Sequence, residues 1–395
     1  MTGGGSTRLL FVINGLGTGG AERSLAEMLP RFTARGYECS VAVLHQREEG
    51  VESAVRESGV PVNWLGPGRW IPWYTSLRKM IGEWRPDLIH TTIFEADIVG
   101  RSVAWRYRIP AVSSVVNTSY GSSVRSRDSR VPGWKLGLAR ALDGFTARAC
   151  TSHLHAISEA TKSEAISALG YPEDRIKVVY RGRDPVRLGE KTSSRRATAR
   201  QRLGVAEESI LLLNVGRQEF QKGQRYLLQS LKTLREDSDT YQLVVAGRTG
   251  HATEELESMV LELGLGDSVH FAGHSNEIGE LLAAADVFVF PSLYEGLGTS
   301  VLEAMAMGLP IVASDLPAIR EMVIDGESAL LVPPSSPGEF ASAVERISGD
   351  RTVAHRLGEA AKRTFDERFQ IDTCARGMMD LYEAVLGRNH PGGPV

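Results

Sequence analysis

The sequence predicts an α/β protein built from two doubly wound parallel sheets, and three observations point there. Short apolar runs alternate with segments of helical periodicity, the pattern of βαβ units. The alternation breaks once, at the charged and Ser/Thr-rich stretch Arg183–Arg196, and then restarts. The chain's 395 residues also exceed what one hydrophobic core usually organises, so two domains of about 150–200 residues each are expected.

The first half opens with the apolar run Arg8–Asn14, read as a buried strand. A glycine-rich turn follows, and then a helix over Ala21–Arg35 stopped by Gly36. Strands are expected at Cys39–Leu44, Val62–Leu65, Leu88–Thr91 and Ala111–Val116, with a helix near Ala96–Tyr107. The half continues through His155–Ile157, a helix at Glu159–Leu169, and Ile176–Tyr180. In the second half, Ile210–Val215, Gln242–Ala246, Val269–Ala272, Val287–Phe290 and Ile311–Ala313 read as strands. Gly223–Arg235, Glu254–Leu263 and Thr299–Met307 read as helices between them. The expected partition is a first domain over 1–185, a linker over 186–196 and a second domain over 197–370. A C-terminal helix over 371–387 should pack back on the first domain, and the Pro/Gly-rich 388–395 should be a disordered tail. Two such sheets would turn the carboxyl ends of their strands, where these folds bind ligands, into one cleft.

Composition excludes several classes. With 45 Lys+Arg against 48 Asp+Glu, the chain lacks the overall basicity of a nucleic-acid binder. Cys39, Cys150 and Cys374 are odd in number and far apart, which fits neither a disulfide framework nor a zinc site. The nine His show no metal-ligand spacing, so no metal site is expected. No apolar run reaches membrane-span length, and Met1–Thr7 does not resemble a signal peptide, so the expected location is the cytoplasm or, peripherally, the inner face of the membrane. The even balance hides a basic segment: residues 101–150 carry nine Lys/Arg against Asp128 and Asp143, a local charge of +7.

Three segments could carry chemistry. Gly15-Leu16-Gly17-Thr18-Gly19-Gly20 sits between a strand and a helix and spells a phosphate-binding glycine loop, although a tight turn explains the glycines as well. A nicotinamide site would need an acid at the end of the next strand, where the sequence reads Leu44-His45-Gln46. Gly216-Arg217-Gln218-Glu219-Phe220-Gln221-Lys222-Gly223 puts two cations at a strand-to-helix turn, either a diphosphate receptor or a solvated basic pair. Glu295-Gly296-Leu297-Gly298-Thr299-Ser300-Val301-Leu302-Glu303 places two carboxylates around the start of an apolar helix. Backbone amides at Gly298, Thr299 and Ser300 would form a second anion pocket there. Capping explains Thr299 and Ser300 but not both carboxylates.

This last segment, followed by Ala304-Met305-Ala306-Met307-Gly308-Leu309-Pro310, is similar to the E-x7-E motif of retaining glycosyltransferases of family 4. The Gly216–Gly223 run and the Gly19-Gly20-Ala21-Glu22 loop match two further marks of that family in the same order. The resemblance spans nearly the whole chain. It implies a GT-B fold, two Rossmann-like domains facing a cleft, with a nucleotide diphosphate sugar held mainly by the second. It assigns Arg217 and Lys222 to the donor diphosphate, Glu295 to the transferred sugar and Glu303 to the donor ribose, with Gly19 and Gly20 approaching the diphosphate from the first domain. It implies same-face attack that retains anomeric configuration, with no metal or other cofactor, on a hydroxyl acceptor that is a glycan, a lipid-linked group or a small molecule. Lys222 and Glu295 should both be exposed cleft residues. A nucleotide-sugar epimerase or phosphorylase-like enzyme of the same fold, and a catalytically silent sugar-nucleotide binder, are the alternatives.

Two positions depart from the family pattern. Asn117 stands where many members carry His, and an amide can hydrogen-bond an acceptor but cannot act as a base. Tyr180-Arg181-Gly182-Arg183-Asp184 differs from the N-G-x-D found in many members, with Arg181 in place of the amide. His90, at the end of the preceding strand, could face the acceptor or be a satisfied structural His. Asp237-Ser238-Asp239 imitates a metal-binding D-x-D but reads as a solvated turn. On the acceptor side, Tyr120, Arg125, Arg127, Arg130, Trp134 and Lys135 could gather an anionic acceptor or meet a lipid surface. So could the aromatic run Arg69-Trp70-Ile71-Pro72-Trp73-Tyr74, read as a loop. A solvated basic face and aromatics packed under a loop are the plain alternatives.

Overall fold

The computed structural model describes residues 6–117, 133–275 and 277–387. The chain forms two compact units, 1–182 with 371–395, and 183–370.

The first unit holds a seven-stranded sheet of β1 (Arg8–Ile13), β2 (Glu38–Val43), β3 (Val62–Trp64), β4 (Leu88–Thr92), β5 (Ala111–Val115), β6 (His153–Ala156) and β7 (Ile176–Val178). Every pairing is parallel, in the order β3-β2-β1-β4-β5-β6-β7. Strand periodicity divides β1 between two cores. Leu9, Phe11 and Ile13 join the core under the helices Gly20–Ala34 and Ile371–Val385, whereas Leu10 and Val12 join that under Ile71–Trp84 and Phe94–Tyr107. The C-terminal helix is held to this unit by Tyr382, whose ring meets Phe32 edge-on at 5.8 Å. An Arg31–Asp372 ion pair at 3.0 Å adds to it.

The second unit holds β8 (Ile210–Val215), β9 (Tyr241–Ala246), β10 (Val269–Gly273), β11 (Val287–Phe290), β12 (Ile311–Ser314) and β13 (Leu330–Val332). The order is β10-β9-β8-β11-β12-β13, again all parallel. Leu212, Val245, Val289 and Val312 pack with the helices Gln224–Asp237 and Pro337–Gly349.

Two expectations fail here. The stretch 186–196 is not a linker: it lies in the second unit and contains the helix Pro185–Leu188 and the start of the helix Ser193–Leu203. Its charges are partnered, Arg195 with Glu280 at 2.8 Å and Arg196 with Asp286 at 2.8 Å, so polarity there reflects an ion-paired surface helix. The aromatic run at 69–74 is not a loop either, because Ile71 begins a helix that continues to Trp84. Trp73 is 1% exposed and its indole N–H donates to the Gly66 carbonyl at 3.3 Å, so it belongs to the core. Tyr120, Arg125, Arg127, Arg130 and the tail 388–395 lie outside the described residues.

Candidate active site

In an open parallel sheet the ligand site lies beyond the carboxyl ends of the strands, where the strand order reverses. In the second unit that point falls between β8 and β11. Gly216–Gly223 leaves β8, and Pro291–Gly298 leaves β11. The topology therefore brings together two motifs that lie 73 residues apart in sequence, and Lys222 Nζ donates to Glu295 Oε1 at 2.6 Å.

The turns that position this pair are tightly specified. Gly223 sits at φ +63°, and a Cβ there would lie 2.0 Å from the Pro291 carbonyl oxygen, so only glycine lets the two loops touch. The Leu293 amide donates to the Gln221 carbonyl at 2.8 Å, and the Gln221 side-chain amide donates to the Tyr294 carbonyl at 2.8 Å. The ammonium of Lys222 also lies 5.7 Å from the centroid of Phe290, a further favourable contact. The expectation that Lys222 and Glu295 are open, exposed side chains needs correction. Their side chains are 20% and 9% exposed, because each neutralises the other at a half-buried position. Arg217 is the exposed cation of the motif and makes no ion pair among the described residues.

Gly298, at φ +93°, precedes the helix Thr299–Ala306 and turns the chain from β11 into it. No side chain caps that helix. Thr299 and Ser300 occupy its first turn, and the Ser300 hydroxyl donates to the Val215 carbonyl at 3.1 Å, which ties the helix start to the end of β8. Glu303, one turn further in, is 4% exposed and accepts from Arg183 Nε at 3.0 Å. Arg183, at the variable position two residues after the departure at Arg181, thus acquires a partner. This guanidinium is 2% exposed, and the backbone N–H of Arg183 donates to the Phe369 carbonyl at 3.0 Å. No local signal pairs Arg183 with Glu303, which lies 120 residues away.

In the first unit the order reverses between β1 and β4. Gly19 precedes the helix Gly20–Ala34 without a side-chain cap, so its first amides point from the carboxyl edge of the sheet. Beside this turn lies a cluster that sequence reasoning missed. Asn14 Nδ2 donates to Glu95 Oε2 at 3.2 Å, His45 Nε2 meets the same oxygen at 3.1 Å, and Arg69 donates to Glu95 Oε1 at 2.8 Å. Burial opposes ionisation of Glu95, but hydrogen bonds from His45 and Arg69 outweigh it and hold the carboxyl below its ordinary value. Ile93, a β-branched residue at φ +78°, turns the chain from β4 toward Glu95, at a cost of about 1–3 kcal/mol. Asn117 lies just past β5 and is partly exposed.

His90 is not an acceptor-binding residue. It is 5% exposed and engaged on both ring nitrogens, Nδ1 with Tyr382 Oη at 2.5 Å and Nε2 with Ser114 Oγ at 2.6 Å. Its place near the strand end suggested the cleft, but its ring lies under the C-terminal helix, against Tyr382. The D-x-D imitation is a helix end: Asp237 closes the helix Gln224–Asp237, and Asp239 pairs with Arg235 at 3.0 Å.

Residues 195–364 match the family described as Glycosyl transferases group 1, and residues 18–187 match Glycosyltransferase Family 4. The chain is 30% identical over 308 residues to the glycogen synthase of Mycobacterium tuberculosis, covering 76% of this chain and 70% of the relative. It is 29% identical over 313 residues to the uncharacterized glycosyltransferase MJ1607 of Methanocaldococcus jannaschii, covering 78% and 77%. The solved structure of Anabaena Alr3699/HepE in complex with UDP-glucose superposes with a TM-score of 0.83 at 23% identity, covering 95% of this chain and 99% of that one. The two parallel-sheet units are those of the GT-B fold, and the chain belongs to the family 4 type of GT-B glycosyltransferases.

Proposed function

We propose that the protein is a retaining, metal-independent glycosyltransferase that moves a hexosyl or N-acetylhexosaminyl group from a nucleotide diphosphate sugar to a hydroxyl acceptor. The observation that carries this reading is the Lys222–Glu295 pair at the switch point of the second sheet, with Arg217 exposed on the same turn. Bond cleavage leaves an electron pair and negative charge on the departing diphosphate oxygen and positive charge on the anomeric carbon. A cation and a carboxylate already held in place supply opposite charges to these two centres without reorganisation. Lys222 and Arg217 meet the diphosphate, Glu295 holds the sugar, and Glu303, oriented by Arg183, addresses the ribose. The amides of Gly298, Thr299 and Ser300 add a helix N-terminus to the phosphate site. Asn117 orients the acceptor hydroxyl but cannot take its proton, so the proton passes to the leaving diphosphate oxygen as the new C–O bond forms on the same face.

The HepE complex makes UDP-glucose the first donor to try. The test is incubation of the full chain with a panel of nucleotide sugars and candidate acceptors in excess chelator, with the product anomer read by NMR. Donor consumption with retained configuration is expected. Inverted product, or turnover that stops with chelator and returns with a divalent cation, would overturn the mechanism. Conversion of the donor to its epimer would move the protein to the alternative of the same fold. Lys222→Ala should lower kcat by about 10²–10³-fold, the effect of removing one preorganised charge-stabilising group. Near wild-type turnover in that variant would remove Lys222 from the chemistry.

A further inference from the structure

The helix Gly133–Cys150 carries a surface that glycosyl transfer leaves unexplained. Its inner side is fixed by Arg101, whose Nη1 donates to Asp143 Oδ1 at 2.6 Å, and by burial of Gly144 and Ala147. That rotation turns Trp134, Leu138, Leu142 and Phe145 outward, with exposures of 69%, 64%, 40% and 63%. At i, i+4, i+8 and i+11 they form one stripe about 17 Å long. Single exposed apolar residues are ordinary, but a contiguous row on a helix marks an interaction surface.

Charge identifies the partner. Lys135 and Arg148 are exposed on either flank of the stripe, Arg148 with its Nη1 on the Leu169 carbonyl, and the helix's sole acid, Asp143, is buried and paired inward with Arg101. The Lys135 ammonium lies 5.5 Å from the centroid of Trp134, so cation and aromatic share one end of the stripe. A second copy of the chain across a two-fold axis would set this positive face against itself. An anionic bilayer surface instead accepts the apolar row between its headgroups and the cations at its phosphates.

We propose that the outer face of Gly133–Cys150 docks the protein on an anionic membrane surface. The helix connects β5 to β6 in a parallel sheet and so runs antiparallel to the strands, which puts Trp134 at the carboxyl edge, where the Asn14–Gly20 turn and Asn117 also lie. Docking brings that edge to the headgroups. The stripe is a different element from the aromatic run at 69–74, whose Trp73 is core.

The docking does not depend on the proposed chemistry, and its test needs no turnover. The full chain is floated with phosphatidylglycerol/phosphatidylcholine vesicles and with pure phosphatidylcholine vesicles, at low and high salt. The expected result is flotation with the anionic vesicles, weakened by salt. It should fall about tenfold or more in the charge reversal Lys135→Glu/Arg148→Glu and in Trp134→Ser/Phe145→Ser. Thermal unfolding and light scattering are run on each variant. Absence of binding to anionic vesicles, or binding that neither variant changes, would overturn the proposal. So would a lowered Tm with unchanged flotation, which assigns the stripe to packing, or a concentration-dependent dimer abolished by the Trp134/Phe145 variant.

Discussion

The neutral histidine relay under the C-terminal helix predicts a specific acid sensitivity of the first unit. His155 Nε2 lies 2.8 Å from the Val179 carbonyl, which can only accept, so this nitrogen carries the proton. His155 Nδ1 must then accept from the Ser114 hydroxyl at 2.7 Å, Ser114 Oγ accepts from His90 Nε2, and His90 Nδ1 accepts from the Tyr382 hydroxyl. Every donor has one acceptor and both rings are neutral. Burial pushes His155 down to about 4, opposed by the hydrogen bond to Val179 and assisted by Arg181. Burial, then repulsion from His155 once that ring is protonated, then the charge of Arg181, likewise hold His90 well below its ordinary 6.5. Because the folded values lie below the unfolded value near 6.5, the unfolded chain takes up more protons, and stability is lost as pH falls from about 6.5 toward 4. At pH 5, His155 alone accounts for a loss of about 2 kcal/mol relative to pH 8. Urea unfolding followed by tryptophan emission measures this in the relevant unit, since all six Trp lie between Trp64 and Trp134. His155→Gln, which removes the titrating ring, should flatten the pH dependence by about that amount. Equal pH dependence in wild type and His155→Gln would refute the reasoning.

Three further outcomes follow from the second unit. Gly223→Ala should lose about 2 kcal/mol or more, seen as a lower Tm together with lost turnover, because its Cβ would meet the Pro291 carbonyl at 2.0 Å. Gly264→Ala, at φ +67° with nothing within 4 Å, isolates the backbone cost alone, about 1–2 kcal/mol, and should spare turnover. Arg183→Ala removes the guanidinium from the buried Glu303 carboxylate and should cost about 3–5 kcal/mol, with weaker binding, by calorimetry, of the nucleoside diphosphate of the donor that the panel identifies and partial rescue in Arg183→Lys. Unchanged stability and unchanged binding of that nucleoside diphosphate would show that Arg183 does not position Glu303.

The sequence by itself determined the two parallel sheets and the turns that carry the site. Apolar alternation, strand length and the glycines at strand-to-helix turns are short-range signals, and the same residues that bury a strand on both faces also make it readable. Arg217, Lys222, Glu295 and Glu303 stood out as candidates for a local reason too, as charges where the pattern calls for apolar or turn residues, and the family resemblance supplied their proposed roles. Only the tertiary structure decided who meets whom. Lys222 with Glu295, Arg183 with Glu303 and Tyr382 with His90 lie 73, 120 and 292 residues apart. Each pairing depends on which strands become neighbours and which helix covers them. The same physics explains the misreadings. A helix whose Arg side chains pair with acids on and just after a distant helix looks like a linker, a core Trp opening a helix looks like a loop, and a strand histidine covered by the last helix looks accessible. Periodicity tells which residues share a face, but packing decides whether that face meets water, a partner or the core.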